Sequence, residues 1–455
     1  MAMKRTGRIL AIRDISTAFL QSFKYPPEVV KYIAFKHPLT GKWHYYRQSG
    51  PIYGECSAPK RWEDTLAEFM ESLGFERGSN FPAIYYFIDR DLLVMTYVDD
   101  CIVDGTPEDV EWFLRELQER FQCKDTEYIT PESPVDYLGI DVSMDDERIY
   151  MCMLSYIDNT IKALNITPSK RMVSTPISDP IDTDSPLLDK YGIKQFLTAL
   201  GMLGWLAQTV RCDVAYAFSR IGQHSAQPTV SALNAVIRVF KYLLQTKDLA
   251  ISAKLHDPER DITDKLSNLQ LDEKPQFRFY TDTDHAGNRE PQNKRRSQNG
   301  LVVTLRGAPV KWYSKAKSSC MASHRLNEAH AEVSSAAAEI YGAGNATMDI
   351  MGFGYMVEEM GLPFTWPVTL EMDNEAARIF TEGGAMKTKL KHIDCRQEWV
   401  KALRDKEVII PEHVSTDDNL ADIFTKILPA HRFIKLRDQL MVTRPTTEAE
   451  RAKKN

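Results

Sequence analysis

Four residues, Tyr97-Val98-Asp99-Asp100, limit what this chain can be more than any others. Leu92-Leu93-Val94-Met95 leads into them and Cys101-Ile102-Val103 leads out. Two apolar strands around a polar pair predict a β-hairpin with two carboxylates at its tip. Adjacent carboxylates repel each other unless a cation lies between them. A third, Asp14, closes the apolar run Ile9-Leu10-Ala11-Ile12. Three carboxylates on strand ends form a ligand set for two Mg²⁺ or Mn²⁺ ions, the arrangement nucleotidyl transfer uses. A solvated acidic turn is the simpler outcome for an Asp-Asp pair, and spacing alone leaves both readings open.

The 455 residues give room for about three domains. No apolar run approaches the roughly 20 residues that span a bilayer, and no signal-peptide core follows Met1-Ala2-Met3-Lys4-Arg5, so no membrane partner is expected. The seven cysteines form no CxxC pair, which excludes a zinc knuckle and suits a reducing, intracellular setting. The net charge of −6 means that a nucleic-acid partner would have to be met by local basic patches. Lys294-Arg295-Arg296, Lys311 with Lys315 and Lys317, and Lys387 with Lys389 and Lys391 are candidates, although such runs are more often a solvated face than a binding track.

Periodicity divides the chain into three blocks. To about Met153, strands alternate with helices. Pro59 to Leu73 predicts a helix with Trp62, Leu66, Phe69 and Leu73 on one face and Gly74 as its stop. A second helix opens at Thr106-Pro107 and buries Val110, Phe113, Leu114, Leu117 and Phe121. Strands are expected over Val135–Ser143 and Arg148–Met153. From 154 to 275 the pattern is mostly helical, with long helices from Tyr191 and Val230 and a Ser/Thr/Asp/Pro-rich linker from Pro168 to Pro186. From Phe277 strands come first and helices interleave afterwards, and a charged tail follows Leu440.

That third block holds a second acidic set. Asp282 and Asp373 each end a predicted strand, Glu339 lies on an Ala-rich helix, and Asp422 lies on a last short helix. Four carboxylates from four elements are what a two-metal phosphodiester hydrolase needs, although spacing cannot show that they converge. Glu328, His330 and Glu332 are nearby competitors for the place of Glu339, better explained as an exposed helix face or loop. His392 and Asp394 fit either a general-base role or a helix-start cap with a surface histidine.

Several separated phrases resemble the Pol polyproteins of copia-type LTR retrotransposons, over roughly Ile9 to Pro429. Arg13-Asp14-Ile15-Ser16-Thr17-Ala18-Phe19-Leu20 is similar to the first palm motif of their reverse transcriptases, and Tyr97-Val98-Asp99-Asp100 to the second. Ser57-Ala58-Pro59-Lys60-Arg61-Trp62 is similar to the segment before the palm helix, with Ser57 where the family carries Gln. Arg211-Cys212-Asp213-Val214-Ala215 resembles an Arg-Pro-Asp-Ile-Ala phrase, with no catalytic constellation around it. Tyr280-Thr281-Asp282-Thr283-Asp284-His285-Ala286-Gly287, Asp373-Asn374-Glu375-Ala376-Ala377, Lys391-His392-Ile393-Asp394-Cys395-Arg396 and Leu420-Ala421-Asp422-Ile423-Phe424-Thr425-Lys426 resemble phrases of the family's ribonuclease H. The family's Ser-Ser-Thr-Glu-Ala-Glu-Tyr phrase maps its second Glu onto Glu339 and finds Ala337 at its first.

The resemblance implies an α/β (α+β) fold: a reverse-transcriptase palm over 1–153 with the fingers missing or partial, a helical thumb and connection over 154–275, a ribonuclease H-like mixed-sheet domain over 276–430, and a charged tail over 431–455. It implies an RNA-directed DNA polymerase with ribonuclease H activity. Asp14, Asp99 and Asp100 would hold two Mg²⁺ or Mn²⁺ ions in one site, and Asp282, Glu339, Asp373 and Asp422 two in the other. Phe19 would lie under the incoming sugar and select deoxynucleoside triphosphates. The implied partners are an RNA template, a DNA primer, RNA–DNA hybrids and other parts of the Pol polyprotein, in a cytoplasmic virus-like particle and the nucleus. The alternative is a truncated remnant that folds and binds nucleic acid without polymerising.

Overall fold

The computed structural model describes residues 7–131, 133–145, 147–254, 277–284, 297–316, 335–361, 364, 366–374 and 391–445. It divides into two compact units, one of Lys4–Ile129 with Phe353–Phe364, the other of Met1–Met3, Thr130–Gly352 and Thr365–Asn455.

The smaller unit carries β1 (Ile9–Asp14), β2 (Lys31–Lys36), β3 (Trp43–Gln48), β4 (Glu76–Arg77), β5 (Ile84–Phe87), β6 (Leu92–Tyr97), β7 (Asp100–Gly105) and β8 (Glu127–Tyr128). All but β2 and β3 form one antiparallel sheet in the order β4-β5-β6-β7-β1-β8. Helices α1 (Ala58–Ser72) and α2 (Pro107–Arg120) share one core with it. Trp62, Leu66 and Met70 of α1 and Val110, Phe113 and Leu117 of α2 pack with Ala11, Val94 and Val103 from alternate strand positions. Each large side chain buried there contributes roughly 1.5–3 kcal/mol. Thr106 caps α2 as expected: its hydroxyl accepts from the Asp109 N–H at 3.3 Å. This is the palm architecture, with both helices behind the sheet that ends at Asp14 and Asp100.

The larger unit begins with β9 (Val135–Tyr137), β10 (Ile140–Met144) and β11 (Arg148–Cys152). The strand expected over Val135–Ser143 is a hairpin, turned at Leu138 and Gly139, both at positive φ. Helices α3 (Leu154–Ala163), α4 (Lys190–Thr209), α5 (Ala215–Gly222) and α6 (Val230–Gln245) follow, then β12 (Leu249–Lys254). The stretch expected as a linker is exposed along much of its length but not free: Val173, Ile177 and Ile181 enter the same cluster as Phe196 and Phe240. Apolar residues four apart in a polar segment anchor it to the helices.

Strands β13 (Phe277–Asp284), β14 (Gln298–Leu305) and β15 (Ala308–Ala316) lead to α7 (Ser335–Glu359), β16 (Val368–Met372), α8 (Lys391–Asp405) and β17 (Ile409–His413). Their order is β15-β14-β13-β16-β17, antiparallel among β13–β15, with β16 and β17 parallel to β13. That is the ribonuclease H-like mixed sheet. One hydrophobic cluster joins it to the helices: Phe196, Leu203 and Phe240 pack in the same cluster as Tyr280, Val302 and Phe424. The boundary expected at 275/276 is thus crossed by a shared core. The charged tail also starts later than expected. Helix α9 (Ala430–Leu440) buries Phe433, Leu436 and Leu440, and β18 (Val442–Thr443) pairs with β12. Those apolar side chains, not the surrounding charge, decide the placement of 430–443.

Candidate active sites

In the smaller unit, β6 and β7 pair through Tyr97↔Asp100, so Val98 and Asp99 alone make the turn, and Asp14 of β1 lies opposite Asp100. Val98 adopts φ 58°, a left-handed conformation that is strained for a β-branched residue. Two contacts hold it there. The Trp62 indole N–H of α1 donates to the Val98 carbonyl, and the Ile15 N–H donates to the Asp99 carbonyl at 2.8 Å. The helix and β1 therefore aim the acidic turn. Lys124, which sequence reasoning passed over, donates its ammonium to Asp14 Oδ2 at 2.8 Å, and that contact raises its pKa. Phe19 stands on a 3-10 turn, Ala18–Gln21, with its ring 4.9 Å from that of Tyr53.

The three palm carboxylates lie on neighbouring strand ends. Among the described residues, however, the acidic group that brings one carboxylate oxygen from each member within 4.8 Å of the others is a different one: Asp282, Asp373 and Asp422. Parallel pairing explains the first two. Tyr280 of β13 is in register with Glu371 of β16, so two residues further on Asp282 and Asp373 stand side by side. Asp422 comes from a short 3-10 turn, Leu420–Phe424, where a short helix is expected, though it is not the last, since α9 follows. Gly300 of β14, the register partner of Asp282, lets that turn approach: a Cβ there would lie 2.7 Å from Thr425 Cγ2 and 2.9 Å from the Ala421 carbonyl oxygen. Buried Asn419 fastens it, donating to the Thr281 carbonyl at 3.2 Å and accepting from the Ala421 N–H at 3.0 Å.

Glu339 of α7 takes the fourth place. Its Oε1 accepts from the Thr283 N–H at 3.1 Å, while buried Oε2 has no hydrogen-bond partner. Gly342, one turn on, lets the helix lie against β13, since a Cβ there would lie 2.5 Å from Thr283 Oγ1. The competing Glu328, His330 and Glu332 lie outside the described residues, as do Lys294-Arg295-Arg296, Lys317, Lys387, Lys389 and the side chains of His392 and Asp394.

The pocket is charged against its own burial. Desolvation, then the Asp282 and Asp373 charges, push Glu339 well above the usual carboxylate range. Asp373 and Asp422 are raised by burial first and by Asp282 second. Lys426 lies 2.8 Å from Asp422 Oδ1 and 3.4 Å from Asp282 Oδ2. Burial opposes its charge, and the two carboxylates more than reverse that. The Arg432 guanidinium grips Asp422 Oδ2, and the Thr425 hydroxyl donates to Asp282 Oδ2. Four carboxylates thus face two cations, with one buried oxygen unpartnered. This donor set fits a hard divalent cation. Gly300 carried no signal in the sequence, Asn419 none beyond adjacency to a motif, and Thr425 none beyond its place within the Leu420–Lys426 phrase.

Residues 2–179 match the family described as reverse transcriptase (RNA-dependent DNA polymerase). The chain is similar to the Pol polyproteins of copia-type transposons. It is 26% identical over 402 residues to a retrovirus-related Pol polyprotein from transposon RE1 of Arabidopsis thaliana, covering 86% of this chain and 25% of that one. With the polyprotein from transposon TNT 1-94 of Nicotiana tabacum it shares 23% identity over 437 residues, 92% of this chain and 30% of the other. The chain therefore spans about a quarter to a third of the length of these relatives. Among solved structures, a foamy viral protease-reverse transcriptase in complex with dsDNA overlays 91% of this chain and 69% of its own, at 12% identity and a TM-score of 0.46. LC11-RNase H1 in complex with RNA/DNA hybrid overlays 33% of this chain and 93% of its own, at 18% identity and a TM-score of 0.24.

Proposed function

We propose that the chain is the reverse transcriptase and ribonuclease H portion of a retrotransposon Pol protein. In this reading the palm, 1–153, copies an RNA template onto a DNA primer. Residues 154–275 serve as thumb and connection, and 276–430 cut the RNA strand of RNA–DNA hybrids. The observation that carries it is the acid pocket, with three carboxylates within 4.8 Å and a fourth buried beside them with one oxygen unpartnered. Hydrogen bonds alone do not hold such a cluster stable, since each buried carboxylate works against the others.

Asp282, Glu339, Asp373 and Asp422 would hold divalent metal, two ions of Mg²⁺ or Mn²⁺ in the full reading. Bound there, the metal would supply an activated water and neutralise charge at the scissile phosphate. The chain's own groups do the rest. Thr425 and Lys426 fix the Asp282 carboxylate, and Arg432 fixes that of Asp422. Hybrids are read by backbone shape and 2′-hydroxyls, so cleavage tolerates any sequence. In the palm, Asp14, Asp99 and Asp100 would hold the equivalent ions. Phe19, braced by Tyr53, would exclude a 2′-hydroxyl and so select deoxynucleoside triphosphates. The setting is intracellular, in a cytoplasmic particle and the nucleus, beside other parts of the Pol polyprotein.

One observation favours a second reading, a folded remnant that binds nucleic acid without polymerising: Lys124 takes up Asp14. Both readings are tested by giving the purified chain Mg²⁺ with a hybrid labelled on its RNA strand, and separately with a primed RNA template. The first predicts hybrid cleavage lost in Asp282→Asn and primer extension lost in Asp99→Asn, each variant still melting cooperatively. Cleavage of plain duplex DNA at the hybrid rate would refute it. Cleavage without extension would select the second reading for the palm.

A further inference from the structure

The β2–β3 ribbon is the one sheet in the described residues that stands as two strands alone, and both of its faces reach solvent. Its side chains are not those of a solvated loop. Tyr32, Tyr45 and Trp43 are 69%, 71% and 58% exposed. Across Val29–Gly54 the sequence holds Lys31, Lys36, Lys42 and Arg47 and no Asp or Glu, in a chain whose net charge is −6.

Register sorts these residues onto faces. Residues directly opposite in an antiparallel pair share a face, as do positions two apart on one strand. Ile33↔Tyr46 and Phe35↔His44 lie on one face, where the Phe35 ring stacks on His44 and Tyr46 at 5.5 and 5.6 Å. That face spends its rings on one another. The other face carries Tyr32↔Arg47, Ala34↔Tyr45 and Lys36↔Trp43. Each rung offers one aromatic ring, two rungs add a cation, and successive rungs are roughly 7 Å apart, two residues of strand rise. No carboxylate pairs with Lys36 or Arg47 among the described residues, and no ring contact occupies Tyr32, Tyr45 or Trp43. At the root, Glu55 accepts from Tyr25, Gln48 and Lys31, so the ribbon is held at its base while its rings stay open.

We propose that this face is a stacking platform for single-stranded nucleic acid. Bases lie on Tyr32, Tyr45 and Trp43, and the phosphates between them meet Arg47 and Lys36. Aromatic rings alternating with cations are what an unpaired strand requires, because every base has a π-face and every linkage a charge. A paired duplex keeps its bases stacked on each other and cannot use the rings. A surface with cations and no carboxylate is complementary to phosphate, and open rings at the spacing of its rungs suit bases rather than the acidic side chains of a second copy. The proposal reaches beyond the two acidic sites, and a chain inactive at both still binds through the ribbon.

The test is fluorescence anisotropy of the full chain with labelled 20-nucleotide oligo(U), oligo(dT) and an RNA–DNA hybrid of equal length. Tyr32→Ala, Trp43→Ala and Tyr45→Ala should each weaken single-strand binding by about 5- to 20-fold, less than the upper range for a fully buried stack. Hybrid affinity should change less than twofold. Lys36→Gln and Arg47→Gln should each lower the slope of log affinity against log salt by about 0.7. Trp43→Phe should retain most binding, and the melting temperatures should match the parent because these side chains are exposed. Equal losses with oligo(U) and oligo(dT) indicate base stacking alone. A larger loss with oligo(U) adds a 2′-hydroxyl contact, and both support the platform. Unchanged single-strand affinity in the triple alanine variant overturns it. So does loss of a self-associated species in sedimentation without a binding defect, which would give the face to a second copy.

Discussion

Two of the sets of charged side chains buried in the larger unit are built on opposite rules. Arg211 and Asp213 are 0% and 1% exposed, and every group has a partner. Arg211 Nε and Nη2 donate to the two Asp213 oxygens at 2.9 and 2.7 Å, Nη1 and Nη2 donate to Thr246, and the Tyr242 hydroxyl donates to Asp213 at 2.6 Å. Burial alone would raise Asp213, but the guanidinium more than offsets it and holds the carboxyl below its ordinary range. In the Asp282 pocket the shifts of Glu339, Asp373 and Asp422 run upward, because neighbouring carboxylates add to the desolvation. The first set locks α6 to the turn before α5. The second is held under repulsion and suits a cation that is not part of the chain. Buried charge marks a binding site only where the chain leaves it uncompensated.

The largest expected effect sharpens this contrast. Asp282→Asn should lower hybrid cleavage by at least about 10³-fold, the scale of losing transition-state charge stabilisation. It should also raise, not lower, the melting temperature of the metal-free chain. A destabilised variant would put the pocket in the same class as the Arg211 pair. Arg211→Met should do the reverse, costing about 3–5 kcal/mol in urea unfolding by leaving Asp213 buried and unpaired. The double variant Arg211→Met/Asp213→Leu should recover much of that loss. Next comes Gly342→Ala, whose Cβ collides with Thr283 Oγ1; overpacking of about 1–3 kcal/mol and slower cleavage should appear together, since Glu339 rides on the same helix.

A pH series separates the two sets without mutation. Carboxyls raised in the folded state bind more protons there than when unfolded. Their stabilising contribution is complete below about pH 4 and is lost as pH rises through the folded value, about 7 for Asp422. In metal-free calorimetry the chain should thus lose stability from the pocket between about pH 4 and 8, and Mg²⁺ should raise the melting temperature more at pH 8 than at pH 5. An equal Mg²⁺ effect at both would break the comparison. The smallest effect concerns the palm: Val98→Gly relieves the φ of 58° and should change unfolding free energy by no more than about 1 kcal/mol.

Local patterns carried much of the fold. The stripes of α1 and α2 and the Thr106 cap follow from side-chain periods and from the chemistry of unsatisfied helix N–H groups. The acidic residues of both sites stood out because each ends or adjoins a short apolar run. The linker reading of 168–186 failed because composition does not reveal that Val173, Ile177 and Ile181 have a core to enter. A tail beginning at 431 was too early for the same reason at Phe433 and Leu436, whereas one beginning after Leu440 agrees with the end of α9.

By itself, the sequence determined many of the strands and helices, α1, α2 and the β6–β7 hairpin among them, and which carboxylates stand at their ends, since both depend on neighbours a few residues apart; it left the β2–β3 ribbon and α9 unread. Only the tertiary structure decided which carboxylates meet. Asp282 and Asp422 are 140 residues apart in number, and their approach depends on Gly300 leaving room, Asn419 fastening the turn and parallel pairing with β16. It also decided that Arg211–Asp213 is compensated and the acid pocket is not. Charge balance in a low-dielectric interior is set by distances of a few ångströms, which residue order does not contain.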